Sequence, residues 1–176
     1  SIQAYFDEAR TMDKLYRKHG KKLKIRINYN RAKKYLEVID NSTGIYEDVL
    51  RQAFLVGTKM NRKNADNSLG QFNMGFKTAA VWLCDSYEIE TKRHDEEESL
   101  YALVDHNAIK VGDATLKLEC EKISEEGDDS YTRFKLHNLK HDFTDSTIKK
   151  TTTYLSSIYR HLLKGITIEF NGDPLT

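Results

Sequence analysis

Proline is nearly missing from this chain: Pro174 is the only one among 176 residues. Almost the whole chain is therefore free to form regular structure. Cysteine is scarce as well. Cys84 and Cys120 are too few for a disulfide framework and suit a reducing compartment, so a cytoplasmic protein is expected. No apolar run approaches the roughly 18 residues that a membrane helix requires. The opening Ser1-Ile2-Gln3-Ala4 has neither the charged nor the apolar region of a signal peptide, and it lacks an initiator Met, from which we expect a piece of a longer protein. Neither sign of charge is in excess: 28 Lys plus Arg face 27 Asp plus Glu, for a net charge of +1. The chain as a whole has no drive toward nucleic acid or an anionic membrane. What it does have is a 39% hydrophobic fraction with 10 Tyr and 7 Phe, the makings of a folded core rather than a disordered segment. Its length fits a single domain over residues 1–176.

Periodicity divides the chain as follows. Ile2, Tyr5, Phe6, Ala9, Met12 and Tyr16 recur at helical spacing, with Gly20 as a stop. Leu23–Tyr29 and Tyr35–Ile39 alternate as strands around a polar turn, which predicts a hairpin. A short helix is expected over Glu47–Val56 and another over Phe76–Leu83. Strand patterns follow at Ser86–Arg93, Ser99–Asp105, Ala114–Lys122 and Tyr131–Leu139. A helix over Asp145–Leu163 would bury Ile148, Leu155, Ile158, Tyr159 and Leu162, and a last strand, Ile166–Phe170, ends at the turn dipeptide Asn171-Gly172. Strands grouped in one run with helices elsewhere argue α+β: a two-layer sandwich whose largely antiparallel sheet carries its helices on one face.

Two glycine-centred segments carry the chemistry. In Val38–Ile45 an acid, Asp40, ends a buried strand, where a carboxylate needs a partner. It could accept a hydrogen bond from the exocyclic amine of a purine, and Gly44 could let backbone approach a flat base. Asp40-Asn41-Ser42-Thr43-Gly44 is equally ordinary turn composition. In Ser68–Ala80, Gly70 and Gly75 sit at a helix entrance, where freed amides and the helix dipole favour an anion. Lys77, one turn in, is placed to reach a terminal phosphate. The spacing is not that of a P-loop, and glycines making tight turns would read the same way. Between the two lies a polar stretch, Gly57–Leu69, of a length unusual for a structureless loop, with Lys59, Arg62 and Lys63 in it.

In their shared order these segments resemble the GHKL family of DNA gyrase, ninety-kilodalton heat-shock chaperones, histidine kinases and MutL-type repair proteins, whose fold is the Bergerat sandwich. The family's Asp-x-Gly-x-Gly motif is matched by Asp40 to Gly44, with Ser42 at the middle glycine. Its Gly-x-x-Gly-x-Gly motif is matched by Gly70-Gln71-Phe72-Asn73-Met74-Gly75-Phe76-Lys77, with Asn73 at the middle glycine. Ser130–Leu136 resembles the family's Gly-Thr strand, with Thr132 at the Thr and Tyr131 replacing the glycine, and Ile166–Gly172 resembles its closing strand. The run Phe54–Met60 is most similar to microrchidia-like ATPase domains, many of whose bacterial relatives serve restriction or phage defence.

The resemblance implies ATP with Mg²⁺ as the ligand. It assigns the base pocket to Asp40, Asn41 and Gly44, with Thr132 supporting the adenine through a water. The phosphates fall to Gly70, Gln71, Phe72, Asn73, Met74, Gly75, Phe76 and Lys77, and residues 57–69 become an ATP lid carrying Lys59. It further implies a homodimer on nucleotide binding and DNA-processing partner domains outside this chain. The departure lies in the first helix. The family's general base falls on Ala4 and its magnesium ligand on Glu8, so Glu8 or Asp7 are the candidates to act on water, with Glu8 the candidate for Mg²⁺. An alanine cannot deprotonate water, and a positioned base contributes roughly 10²–10⁴-fold. The expected activity is a slow Mg-dependent ATPase, the alternative a nucleotide-binding switch or pseudo-ATPase scaffold without hydrolysis. His137 and His141, four apart at a strand end with no acid cluster, read as a surface pair, and Cys84 as inert packing.

Overall fold

The computed structural model describes residues 22–54, 74–106, 117–121 and 130–176. The helix expected over residues 1–19, the stretch 57–69 and the motif residues 70–73 lie outside the described residues.

The first hairpin joins β1 (Lys24–Asn30) to β2 (Tyr35–Asp40) in antiparallel register, from Ile25 opposite Asp40 to Asn30 opposite Tyr35. Helix α1 (Glu47–Phe54) follows, then α2 (Met74–Leu83), which runs without a loop into β3 (Cys84–Lys92). The chain continues through β4 (Ser99–Asp105), β5 (Lys117–Glu121) and β6 (Tyr131–Leu139). Helix α3 (Asp145–Tyr159) and strands β7 (Thr167–Phe170) and β8 (Asp173–Pro174) complete it. One eight-stranded sheet results, ordered β5-β4-β3-β6-β2-β1-β7-β8. Among the described residues, β1–β7 is the one parallel pairing. The α+β sandwich expected from the sequence is the observed fold.

Alternation along each strand sets two faces. Ile25, Tyr29, Tyr87, Ile89, Leu100, Val104, Leu136, Ile168 and Phe170 are buried on one of them. Leu50 of α1, Ala80 and Leu83 of α2 and Ile148 of α3 belong to the same apolar cluster, so the three described helices cover one side of the sheet. The opposite face is polar and holds itself together with charge. Arg133 Nε meets Glu37 Oε1 at 3.0 Å and its Nη1 meets Glu90 Oε2 at 2.9 Å, spanning three strands. Tyr131 donates to Glu90 at 2.6 Å and Asn28 to Glu37 at 3.1 Å, so both buried carboxylates are satisfied.

Among the described residues, element boundaries differ from the sequence reading by two residues or more in three places. Helix α2 starts at Met74 rather than Phe76, and β3 at Cys84 rather than Ser86. Helix α3 stops at Tyr159 rather than Leu163, and Ile158, expected to be buried, is 51% exposed. At about 100° per residue, Ile158 lies roughly 80° away from the Ile148 side of the helix, whereas Tyr159 returns to it. Thr144 caps this helix, its Oγ1 accepting from the Thr147 amide at 3.1 Å. Asn171 (φ 49°) and Gly172 (φ 90°) make the left-handed turn expected of that dipeptide and fold β8 back on β7.

Candidate functional site

Register places three polar side chains in one row. Asp40 of β2 lies opposite Thr132 of β6, and Thr132 lies opposite Thr91 of β3. Residues directly opposed in antiparallel strands share a face, here the one the helices cover. The row is almost fully enclosed, with Asp40 at 3%, Thr132 at 4% and Thr91 at 1% exposure. Three polar groups in line at the end of an apolar face are costly unless bonded.

Their bonds tie the strand ends to the loop that follows β2. Asp40 Oδ1 accepts from the Ser42 amide at 3.0 Å and from the Ser42 hydroxyl at 2.5 Å. Ser42, standing at the middle glycine of the motif, thus serves the carboxylate directly. Thr91 Oγ1 accepts from the Ile45 amide at 2.9 Å, donates to the Tyr131 carbonyl at 3.0 Å and lies 3.1 Å from Thr132 Oγ1. Gly44 holds φ at +78°, and a Cβ there would overlap the Lys92 carbonyl and come within 2.9 Å of Arg93 Cα. A glycine is needed here because the loop lies directly on the β3 backbone.

The β3–β4 turn clasps the same loop. The buried Arg93 guanidinium stacks 3.6 Å over the Tyr46 ring, donates to Tyr46 Oη at 2.6 Å and donates to Asp95 Oδ1 at 2.9 Å. That last bond from Arg93 holds the Asp95 carboxyl down at about 2. Tyr46 in turn donates to Asp95 Oδ2 at 3.2 Å, and the His94 amide donates to the Thr43 carbonyl at 3.3 Å.

The expected site residues fall into three groups. Asp40, Gly44 and Thr132 converge on one end of the sheet. Asn41 belongs to the same loop, but its amide side chain is turned to β1: Oδ1 accepts from the Lys24 amide at 2.8 Å and Nδ2 donates to the Lys22 carbonyl at 3.0 Å. Met74, Gly75, Phe76 and Lys77 form the first turn of α2. That helix packs against β3 and β6. Asp7, Glu8, Lys59, Gly70, Gln71, Phe72 and Asn73 lie outside the described residues.

Sequence reasoning passed over Thr91, Arg93 and Tyr46. The available signal was parity: Tyr87 and Ile89 are buried in β3, and Thr91 continues their row with a hydroxyl. Among the described residues no three His, Cys, Asp or Glu side chains gather as a metal site. His137 and His141 make separate contacts. His137 Nε2 lies 3.2 Å from Glu88, whereas the His141 ring packs 5.4 Å from Trp82. Cys84 is fully buried and donates to the Ala80 carbonyl, and burial pushes its thiol up to about 11.

A family model described as histidine kinase-, DNA gyrase B- and HSP90-like ATPase matches residues 16–146. Among solved structures, the ATPase and transducer domains of DNA topoisomerase II from Balamuthia mandrillaris superpose with a TM-score of 0.64 at 13% identity, over 98% of this chain and 47% of that one. The ATPase region of Saccharomyces cerevisiae topoisomerase II gives 0.58 at 15% identity, over 98% and 48%. The same region bound to ICRF-187 (dexrazoxane) gives 0.56 at 15% identity. This chain spans about half the length of those structures. No curated protein matches it.

Proposed function

Because the chain belongs to the histidine kinase-, DNA gyrase B- and HSP90-like ATPase family, we propose that the buried row at the end of its sheet is the base pocket of an ATP site. The observation that carries this reading is the placement of Asp40 beside Thr132, on the face the helices cover and at the end where the motif loop closes on β3. An ionised carboxylate only accepts hydrogen bonds, so it suits a donor such as the adenine amine. Thr132 supports that contact through a water. The phosphates lie against the amino end of α2, cradled by Gly70–Gly75, with Lys77 on the terminal phosphate and Lys59 reaching in from residues 57–69. Magnesium comes with the triphosphate. The resemblance puts its protein ligand at Glu8, a hard oxygen donor of the kind the ion prefers.

The activity that fits this arrangement is slow ATP hydrolysis coupled to lid closure and to pairing of two copies. The run Phe54–Met60 favours a microrchidia-like place within the family, hence a DNA-processing or phage-defence setting with further domains, in the cytoplasm. A non-hydrolysing switch is the second reading, favoured by Ala4 at the position of the general base. Calorimetric titration with a non-hydrolysable ATP analogue and Mg²⁺ tests the common core of both. Wild type should bind saturably, and Asp40→Asn should weaken binding by about 10- to 150-fold while the fold survives, since a charge-assisted bond of roughly 1.5–3 kcal/mol is lost. Equal affinity in the two proteins would remove Asp40 from the base-reading role.

A further inference from the structure

We propose that Thr91 is a positioning residue that fixes the proton of the Thr132 hydroxyl and thereby makes the pocket select a 6-amino purine over a 6-keto purine. The inference rests on the nucleotide reading of the row and names a determinant of its specificity. A threonine hydroxyl has one proton and two lone pairs. The Tyr131 carbonyl, 3.0 Å from Thr91 Oγ1, can only accept, so it takes Thr91's single proton. The Ile45 amide, at 2.9 Å, can only donate, so it takes one of Thr91's lone pairs. Toward Thr132, 3.1 Å away, Thr91 has only a lone pair left. Thr132 must therefore be the donor of that bond, and its proton points along the sheet and away from the Asp40 side.

The consequence is that Asp40 and Thr132 offer acceptors to the base. Asp40 presents a carboxylate, and Thr132 presents the lone pairs of a hydroxyl whose proton is spent. A base, or a water bridging to it, must bring the protons, and an exocyclic amine does so. A keto oxygen finds no donor at either of these two side chains. Both hydroxyls are enclosed, which leaves no bulk water to reverse the polarity of the chain of bonds. Removing the Thr91 hydroxyl frees the proton of Thr132 to turn toward the pocket and serve a keto group.

The test is a titration of the wild-type chain with ATP and with ITP, which differ in the 6-substituent, each with Mg²⁺ under conditions where turnover is negligible. The same titrations follow on Thr91→Val, Thr91→Ser and Thr132→Val/Thr91→Val. Wild type should prefer ATP. Thr91→Val should narrow the ATP-to-ITP affinity ratio by roughly three- to tenfold, the worth of one redirected hydrogen bond. Thr91→Ser should restore it, and Thr91→Val should leave the ratio unmoved once Thr132 is already Val. A purely structural role, through the lost Ile45 contact, would weaken both nucleotides alike and leave the ratio unchanged, which overturns the proposal. Should Thr91→Val fail to fold by circular dichroism, Thr91→Cys, with its feeble hydrogen-bonding thiol, gives the same readout. ATP binding with an unaltered ratio overturns the role of Thr91 alone, whereas no ATP binding by wild type overturns the nucleotide reading itself.

Discussion

Gly44 shows how one missing atom can position a loop. Its backbone sits at φ +78°, with Lys92 and Arg93 filling the space a Cβ would need. Gly44→Ala combines left-handed strain with overpacking against backbone that cannot rotate away, an expected loss of roughly 2–5 kcal/mol. Thermal unfolding checks this. A melting temperature unchanged within a degree would show that the loop has room to move. The sequence made this glycine conspicuous, and likewise Asp40 and Thr132, because each stands in a motif. It said nothing of Thr91 and Arg93, whose parts are set by register between strands far apart in the chain. Asn41 illustrates the opposite case. It lies in the motif, yet extended backbone turns successive side chains to opposite sides, and its amide ends up bridging the Lys22 and Lys24 backbone.

At the scale of elements, the loop after β2 is held to the β3–β4 turn by Arg93, Tyr46 and Asp95. Asp95 has a folded-state value of about 2 against an ordinary one near 3.8, the hydrogen bond from Arg93 being the main cause. A depressed carboxylate stabilises the fold above its unfolded value and loses that contribution as pH falls through its folded value. The difference in stability between wild type and Asp95→Asn should hence be constant above about pH 5, shrink as pH falls, and vanish only below about pH 2. Because the Asp95 side chain is 44% exposed, solvent screening keeps the effect modest. Denaturant unfolding across this range measures it, and a difference that grows toward low pH would refute the clasp. Periodicity served the strands well because one face of the sheet is apolar and the other charged. It served α3 less well. That helix has no fully buried residue, so its apolar positions do not mark one clean stripe, and Ile158 was placed on the wrong side of it.

For the whole molecule, binding and hydrolysis draw on different parts of the chain. In the proposed site the row of Asp40, Thr132 and Thr91 and the entrance of α2 are assigned to the ground-state nucleotide, and none of these groups is a base for water. Ala4 at the position of the base predicts turnover slower by roughly 10²–10⁴-fold than an intact base would allow. Phosphate release with Mg²⁺ should rise in Ala4→Glu. Robust wild-type turnover that collapses in Glu8→Ala would instead make Glu8 the catalytic group. The fold was legible because motif order and strand grouping agreed. The segment 1–19, outside the described residues, offers only a departure from the family pattern, since a residue that is absent gives no positive sign of what replaces it.

The central claim is that the end of the sheet marked by Asp40 is the base pocket of an ATP site. A crystal structure of the chain with a non-hydrolysable ATP analogue and Mg²⁺ tests it most directly. The account predicts the adenine amine within hydrogen-bond distance of the Asp40 carboxylate, a water between the base and Thr132, and the phosphates at the amino end of α2. An analogue bound elsewhere, or bound with its base away from Asp40, would contradict it.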